Sequence, residues 1–251
     1  TTMHFMPGGV ILRSYDLVNW EIATYLYDVL DDTPAQHLEG DKNIYGQGMW
    51  AASLRYHKGK FYVCFVANDT HKAYLCKSDN ILGPWEKNYI KGFYHDASLL
   101  FDDDKVYVVY GNTEIFLTEL TKDMSGPKHG GVHRMIVKDT NHVVLGYEGA
   151  HIYKINGKYY LFLIHWLADG TKRRVQACYV SDSLAGEFQG KDILNDDSVD
   201  CVVEMMGGKI NVQSSYGKGS MFMIQIPQKV SKYFEPMTEK ELSDTMARQY
   251  K

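Results

Sequence analysis

The segment "HKGKFYVCFVAND", residues 57–69, decides the fold, because similar segments recur along the chain. "DDDKVYVVYGN" at 102–112 and "INGKYYLFLIHW" at 155–166 share its order of a tight turn followed by apolar and aromatic residues. Such residues favour β-strands, and the turn residues before them mark where each strand begins. These strand-type units return at intervals of about 45–55 residues, a period typical of four-stranded propeller blades.

A second motif repeats at corresponding places. "SYDLVNW" at 14–20, "SDNILGPW" at 78–85 and "SDSLAGEF" at 181–188 share a serine, an acidic residue and a closing aromatic residue. In a propeller, this segment would turn the chain back at the outer edge of a blade. A β-sandwich with coincidental turns is the alternative. The recurrence of both motifs favours an all-β propeller over residues 1–197.

The composition changes near Asp197, from Tyr- and Trp-rich to Met- and Gly-rich. "VVEMMGG" at 202–208 is typical of a helix end stopped by glycine. "KINVQSS" at 209–215 and "SMFMIQIP" at 220–227 predict two strands of a hairpin. The polar remainder contains a capping signature, "TEKE", and predicts a C-terminal helix. We therefore expect residues 198–251 to be a separate, short α/β fragment followed by a helix.

The composition narrows the classes of partner. The net charge is −4, so we expect neither nucleic acid nor an anionic membrane as a partner. The chain has 19 tyrosines and 4 tryptophans beside its acidic residues, a combination that suits sugars, whose apolar faces stack on aromatic rings. Cys64, Cys76 and Cys178 lie in apolar strand-like runs, which favours buried thiols over disulfides, and with Cys201 they lack metal-ligand spacing.

Two acidic residues stand immediately before or at predicted apolar strands. Asp96 lies in "YHDASLL" and Glu148 in the glycine-flanked "YEGAHIY", while Trp50 holds a comparable place in "GMWAASL". A lone acid before a strand is most often a turn residue or a cap. If these strands are the innermost of their blades, however, the two carboxylates converge at the central channel. Glycoside hydrolysis needs one carboxylic acid to protonate the leaving oxygen and a carboxylate to activate water.

Four motifs in order resemble glycoside hydrolase family 43, and the resemblance covers about residues 1–197. They are "TTMHFMPGGVILRSYDLVNWEI", "GMWAASLRYHKGKFYV", "YHDASLLFDDDKVYVVYG" and "YEGAHIYKINGKYYLF". The resemblance implies a five-bladed β-propeller, incomplete here. It also implies inverting hydrolysis of β-xylosides or α-L-arabinofuranosides from plant cell-wall polysaccharides.

The resemblance also assigns roles. Glu148 matches the general acid, and Asp96 matches the residue that orients the general acid and modulates its pKa. The family's general-base aspartate lies upstream of the first motif, so we expect it outside this chain and the activity to be impaired. Phe5 and Trp50 match aromatic residues of the sugar pocket.

His95 and His151 are assigned to substrate binding together with Phe5 and Trp50. Strand-end packing is the alternative for both histidines.

The resemblance requires no cofactor. It places a calcium ion on the propeller axis of intact family members, held through a histidine of a later blade that we expect outside this chain. Xylo- or arabino-oligosaccharides are the expected partners. The chain starts at Thr1 without a signal sequence. A truncated N-terminus would have lost one, so the location stays open between the bacterial cytoplasm, the periplasm and secretion.

The segment "VEMMGGKINVQSSYGKGSMFMIQIP" resembles the C-terminal end of a histidine-kinase ATPase domain, over about residues 200–227. The adenine-binding loop, the asparagine-bearing helix and the phosphoacceptor helix of such kinases have no counterpart here. We therefore expect no ATP binding and a chimeric chain in which this fragment follows the propeller. A non-catalytic carbohydrate-binding fragment and a signalling-kinase fragment remain the alternative functions.

Overall fold

The computed structural model describes residues 3, 6–141, 143–171, 173–194, 209–215 and 219–225. They belong to two units, 1–195 and 196–251, which are described separately. All regular structure in the described part is β-strand, and this part contains no helix. No helix among the described residues is therefore long and apolar enough to cross a membrane.

The first unit consists of fourteen strands in one two-stranded and three four-stranded antiparallel sheets. The two-stranded sheet is β1 (Gly8–Arg13) and β2 (Glu21–Tyr27). The first four-stranded sheet is β3 (Met49–His57), β4 (Lys60–Ala67), β5 (Lys72–Ser78) and β6 (Glu86–Ile90). The second is β7 (Ser98–Asp102), β8 (Lys105–Asn112), β9 (Glu114–Glu119) and β10 (His133–Lys138). The third is β11 (Glu148–Ile155), β12 (Lys158–Trp166), β13 (Arg174–Ser181) and β14 (Gln189–Leu194).

The repeated strand motif forms the second strand of each four-stranded sheet, as the period predicts. Lys58 and Gly59 turn the chain into β4 with φ of 47° and 85°. Asn156 and Gly157 do the same before β12 with φ of 50° and 81°. Glycine enters the left-handed region without steric cost, and asparagine enters it more readily than most residues. The local chemistry of the turn therefore fixes where each of these strands begins.

The serine–acid–aromatic motif links the last two strands of a sheet. It connects β5 to β6 and β13 to β14, and its first copy connects β1 to β2. Hairpin β1–β2 therefore corresponds to the outer two strands of a sheet like the other three. Within the described residues the sheets do not close into a ring.

Apolar clusters lie between successive sheets. One joins hairpin β1–β2 to sheet β3–β6 around Phe65, the next joins sheets β3–β6 and β7–β10 around Leu99, and the third joins β7–β10 to β11–β14 around Leu161. All three of these side chains are fully buried. Packing of this kind removes both faces of a sheet from water, so each sheet depends on its neighbours. The inner strands β3, β7 and β11 consequently run side by side.

Cys64, Cys76 and Cys178 are buried on strands β4, β5 and β13, as their apolar surroundings predicted. Burial raises the pKa of the Cys64 thiol to about 12, so it stays protonated. Cys201 lies outside the described residues.

In the second unit, β15 (Lys209–Ser215) and β16 (Gly219–Gln225) form an antiparallel hairpin in which Val212 pairs with Phe222. These are the two strands that the sequence predicted. The predicted helix end at 202–208 and the predicted C-terminal helix lie outside the described residues.

Candidate active site

The starts of three inner strands bring the predicted site residues together. Trp50 is the second residue of β3, Asp96 lies two residues before β7, and Glu148 is the first residue of β11. The ring contact of Trp50 with His95 and the ion pair of His95 with Glu148 place the starts of these strands at one end of the sheets. The convergence expected from the position of these residues in the repeats is therefore found in the structure.

His95 lies between the two carboxylates. Its Nε2 is 3.7 Å from Asp96 Oδ2 and 3.6 Å from Glu148 Oε2. One nitrogen or oxygen from each of the three residues lies within 4.8 Å of the others. His95 Nε2 is buried and makes no hydrogen bond within the described part of the chain, so the interaction with both acids is electrostatic.

Backbone contacts hold Asp96 in place. Its φ of 49° is left-handed, a conformation that aspartate adopts more readily than most residues. Asp96 Oδ2 accepts a hydrogen bond from the Gly149 N–H at 3.2 Å, which ties the loop before β7 to the start of β11. The Gly111 N–H donates to the His95 carbonyl at 3.0 Å. A Cβ on Gly111 would lie 2.0 Å from the Glu114 carbonyl oxygen, so this close approach requires glycine.

Asn112 positions Glu148 through a contact that no sequence motif predicted. Its Nδ2 donates a hydrogen bond to Glu148 Oε2 at 2.9 Å. Asn112 ends β8, and the sequence shows only an asparagine after a strand, which is typical of a turn. The contact joins sheets β7–β10 and β11–β14, and no local pattern predicts a contact between two sheets.

Burial and charge set the protonation of the cluster. Asp96 is 12% exposed, and burial raises the pKa of its carboxyl. The nearby Glu148 charge also raises the Asp96 pKa, while His95 and the Gly149 N–H partly offset this. The interaction with Glu148 raises the pKa of His95, although burial opposes the change. The site therefore favours a proton on His95 and disfavours a full negative charge on Asp96.

Trp50 forms one side of the site. Its ring centroid lies 6.0 Å from that of His95, with the planes tilted by 55°, and its Nε1 donates to the Gly46 carbonyl at 3.1 Å. An aromatic face held next to carboxylates suits a sugar, whose C–H groups contact the ring while its hydroxyls reach the acids. Phe5, the other predicted pocket aromatic, lies outside the described residues.

The model of the family "Glycosyl hydrolases family 43" matches residues 1–228. The chain belongs to this family. The match runs past Asp197 and over hairpin β15–β16, so it does not stop where the composition changes.

Known proteins similar to this family-43 chain are longer than it is. A "Beta-xylosidase" of Formosa agariphila is 30% identical over 177 residues, covering 65% of this chain and 29% of the relative. A "Xylosidase/arabinosidase" of Butyrivibrio fibrisolvens is 31% identical over 173 residues, covering 62% and 32%. The solved structure of a "Bifunctional GH43-CE" protein of Bacteroides eggerthii has a TM-score of 0.72 at 33% identity and covers 92% of this chain and 33% of that one. The chain thus spans about a third of the length of these relatives.

His151 lies further along β11, three residues after Glu148. Its Nδ1 is buried without a hydrogen-bond partner among the described residues, and its ring stacks at 6.5 Å on Tyr153. Burial, together with the positive charge of Arg55, lowers the pKa of His151 to about 4. The structure places it beside Arg55 and Tyr153, and it records no contact between His151 and His95, Asp96 or Glu148.

The residues described fit calcium poorly. Calcium prefers about six to eight oxygen ligands. His95, Asp96 and Glu148, the one group of three potential metal ligands found in the described part of this family-43 chain, offer one nitrogen and two carboxylates. Further along the inner strands, the guanidinium of Arg55 lies between β3, β7 and β11, and its positive charge repels a cation.

Proposed function

We propose that the chain carries part of the active site of an inverting glycoside hydrolase that acts on β-xylosides or α-L-arabinofuranosides. The observation that carries the proposal is the convergence of Asp96 and Glu148 around His95, beside Trp50. The xylosidase and arabinosidase names of its relatives support this class of substrate. Oligosaccharides from xylan or arabinan are the corresponding ligands, and the chemistry needs no cofactor.

Each described residue has a definite part in the reaction. Glu148 donates its proton to the glycosidic oxygen as the bond from that oxygen to the anomeric carbon breaks. A water molecule attacks the same carbon from the opposite face and loses a proton to a general base. Asp96 accepts the hydrogen bond of the Gly149 N–H and thereby holds the residue next to Glu148. Trp50 contacts the sugar face.

Asp96 is too close to Glu148 to be the general base of an inverting pair. Carboxyl groups of such a pair lie about 6.5–9.5 Å apart, because a water molecule must fit between them. One carboxylate oxygen of Asp96 and one of Glu148 lie within 4.8 Å of each other. We therefore assign Asp96 to modulation and expect the base outside the described residues. Retaining enzymes hold their carboxyl groups about 5–5.5 Å apart, so the configuration of the first-formed sugar tests this assignment.

The decisive experiment compares two leaving groups. Glu148→Gln removes the proton donor but keeps the acceptor for Asn112. We expect it to lower hydrolysis of an unactivated disaccharide by about 10²–10⁴-fold and hydrolysis of a nitrophenyl glycoside much less. Glu39→Gln, at an exposed glutamate, is the matched control. Equal losses on both substrates would contradict the general-acid role.

Carbohydrate binding without hydrolysis is the second candidate function. Trp50 and His95 form their side of the pocket whether or not a base is present. Calorimetry with xylo- and arabino-oligosaccharides tests it. Binding by folded protein that yields no hydrolysis product over hours would favour this candidate, whereas turnover would support the hydrolase.

We further propose that the three four-stranded sheets are blades of a five-bladed propeller and that hairpin β1–β2 is the outer half of another blade. The regular meander within each sheet and the packing between successive sheets support this arrangement. An axial calcium ion, expected in intact family members, would need ligands from outside the described residues.

Residues 198–251 are proposed to be an appended fragment that resembles the end of a histidine-kinase ATPase domain and binds no ATP. Hairpin β15–β16 supports only the strand part of that likeness, and the family-43 match over the same residues is the competing interpretation. Calorimetry with Mg-ATP should show no saturable binding. A dissociation constant below about 100 μM, roughly −5.5 kcal/mol, would reverse the proposal.

A further inference from the structure

Thr113 lies in the turn between β8 and β9, directly after Asn112, and its backbone conformation is unusual for its side chain. Its φ is 65°, in the left-handed region. Glycine and asparagine enter this region readily, whereas a β-branched residue there is a genuine outlier. Such outliers persist where the surrounding structure holds them, and they cluster at functional sites. Threonine offers at this position a hydroxyl group that glycine lacks.

Two backbone hydrogen bonds fix Thr113 against the segment that leads to β11. Its N–H donates to the Tyr147 carbonyl at 2.7 Å, and its carbonyl accepts from the Asp139 N–H at 2.8 Å. Gly146 packs so closely that a Cβ added to it would lie 2.5 Å from Thr113 Oγ1. Because Tyr147 immediately precedes Glu148, Thr113 is held in place relative to the proposed general acid.

The Thr113 hydroxyl orients the side-chain amide of Asn112. Thr113 Oγ1 donates to Asn112 Oδ1 at 3.1 Å, and Asn112 Nδ2 donates to Glu148 Oε2 at 2.9 Å. Asn112 is exposed, so packing does not decide which way its amide faces. The opposite orientation would bring the amide oxygen against a carboxylate oxygen, and both are acceptors. The bond from Thr113 to Oδ1 therefore favours the orientation in which the amide donor faces Glu148.

We propose that Thr113 is a positioning residue that acts through Asn112 to select which oxygen of Glu148 delivers the proton, an inference that rests on the proposed function. Glu148 Oε2 accepts the Asn112 N–H, whereas Oε1 has no hydrogen-bond partner among the described residues. Oε1 therefore carries the proton that passes to the glycosidic oxygen as the bond from that oxygen to the anomeric carbon breaks.

The Asn112 contact changes in strength during this step. Glu148 begins the step as a neutral acid and ends it as a carboxylate, so negative charge develops on the group that accepts the Asn112 N–H. A hydrogen bond to a charged acceptor is stronger than one to a neutral acceptor. An interaction that strengthens toward the transition state raises kcat rather than lowering KM. Loss of the Thr113 hydroxyl should therefore appear in kcat.

Thr113→Ser and Thr113→Ala form a matched pair, because both remove the methyl group and only serine keeps the hydroxyl. Thr113→Ala should lower kcat on an unactivated disaccharide by about 3–10-fold with little change in KM, and Thr113→Ser should recover most of that loss. On a nitrophenyl glycoside, whose leaving group needs little protonation, Thr113→Ala should lose much less. Equal rates in the two variants, or equal losses on both substrates, contradict the proposal.

Asn112→Ala tests whether Thr113 acts through Asn112. Without the Asn112 amide the Thr113 hydroxyl has nothing to orient, so adding Thr113→Ala to this variant should cost no further activity. Losses that multiply in the double variant would show that Thr113 acts by another route and would overturn the proposal.

Nuclear magnetic resonance gives a readout that needs no glycosidase activity. The side-chain amide hydrogens of Asn112, assigned by their absence in Asn112→Ala, should exchange with water about 2–10-fold faster in Thr113→Ala than in Thr113→Ser. Thr113→Val, which keeps the shape of threonine without its hydroxyl, takes the place of Thr113→Ala if that variant does not fold. Identical exchange with and without the hydroxyl overturns the inference. Failure of the proposed function alone would remove the hydrolysis and leave the difference in exchange.

Discussion

At the scale of single residues, the site is held in an electrostatically unfavourable arrangement. Asp96 carries a carboxyl group whose burial raises its pKa. A raised folded pKa means that the folded state binds the proton more tightly than the unfolded state, so stability is lost as the pH rises through the folded pKa. At neutral pH the ionised Asp96 therefore lowers the stability of the fold while serving the proposed chemistry.

Asp96→Asn should stabilise the protein at neutral pH by about 1 kcal/mol. Asparagine has no charge, can accept the Gly149 N–H through its amide oxygen, and tolerates the φ of 49°. The gain should shrink as the pH falls, because the folded aspartate is protonated first and the unfolded aspartate follows below about 3.9. Urea denaturation at pH 7 and pH 3.5 measures it. Asp104→Asn, at an exposed partner of Lys58, should show little gain at pH 7. A loss of stability in Asp96→Asn at pH 7 would contradict the argument.

His151 should make the protein less stable in mild acid. Burial lowers its pKa from 6.5 to about 4. Between these values the unfolded state binds the proton and the folded state does not, so stability falls as the pH drops through this window. The loss from this group is at most roughly 3 kcal/mol. His95, whose pKa is raised, acts in the opposite sense, because its contribution is present below pH 6.5 and is lost as the pH rises.

The measurement is the unfolding free energy of the unaltered protein and of His151→Gln at pH 7, 5.5 and 4.5. The variant should lose less stability than the unaltered protein between the first and last pH. Parallel curves would show that His151 is accessible to protons in the folded state.

At the scale of elements, local chemistry explains the turns that the sequence predicted. In the copy between β5 and β6, the Ser78 hydroxyl donates to the Asn80 carbonyl at 2.7 Å and accepts from the Asn80 N–H at 3.1 Å. Ser181 makes the same pair of contacts with Ser183 between β13 and β14. The repeated serine thus closes a turn through its own backbone neighbours, which is why a short motif could predict it.

Ser78→Ala should destabilise the fold by about 1 kcal/mol, because it removes both hydrogen bonds of a buried hydroxyl. Ser14→Ala, in the exposed first copy of the motif, should cost less than half as much. Urea titration of both variants gives the comparison. Equal costs would mean that burial of the turn contributes nothing.

Contacts between different sheets could not be predicted from the sequence. The starts of β3, β7 and β11 were predicted, and so was the convergence of the acids placed there. The Asn112–Glu148 hydrogen bond and the Arg55 contacts join different sheets. They depend on how two sheets pack, and in the sequence Arg55 is only one polar residue of an alternating strand. His151 was assigned to substrate binding with strand-end packing as the alternative, and its interaction with Arg55 from another sheet had no signal in the sequence.

At the scale of the whole molecule, each described sheet packs on the next, and hairpin β1–β2 packs on one of them, sheet β3–β6. The hairpin exposes Leu12, Trp20 and Ile22 by 51%, 54% and 58%. Exposed apolar side chains on a two-stranded sheet invite association through open strand edges. A monodisperse sample is therefore required before any rate measured on this chain can be assigned to its active site.

The catalytic residues also depend on the whole molecule, because packing of different sheets brings the two acids together. No third acid joins Asp96 and Glu148 in the cluster formed by the described residues. In the proposed mechanism a general base takes a proton from the attacking water, and the described residues of this cluster supply no such base. The chain should therefore hydrolyse nitrophenyl β-xyloside or α-L-arabinofuranoside poorly, by about 10²–10⁴-fold relative to a complete enzyme.

Azide should partly restore turnover of these substrates, because a small anion needs no deprotonation to attack the anomeric carbon. The nitrophenyl group leaves with little help from Glu148, so the added nucleophile alone can relieve the defect. The product should be the glycosyl azide of inverted configuration, identified by proton NMR, and Glu39→Gln should behave like the unaltered chain. Full turnover without azide would show that another residue acts as the base and that the catalytic set is complete. Folded protein that turns over neither with nor without azide, yet binds the oligosaccharides, would assign the chain to carbohydrate binding.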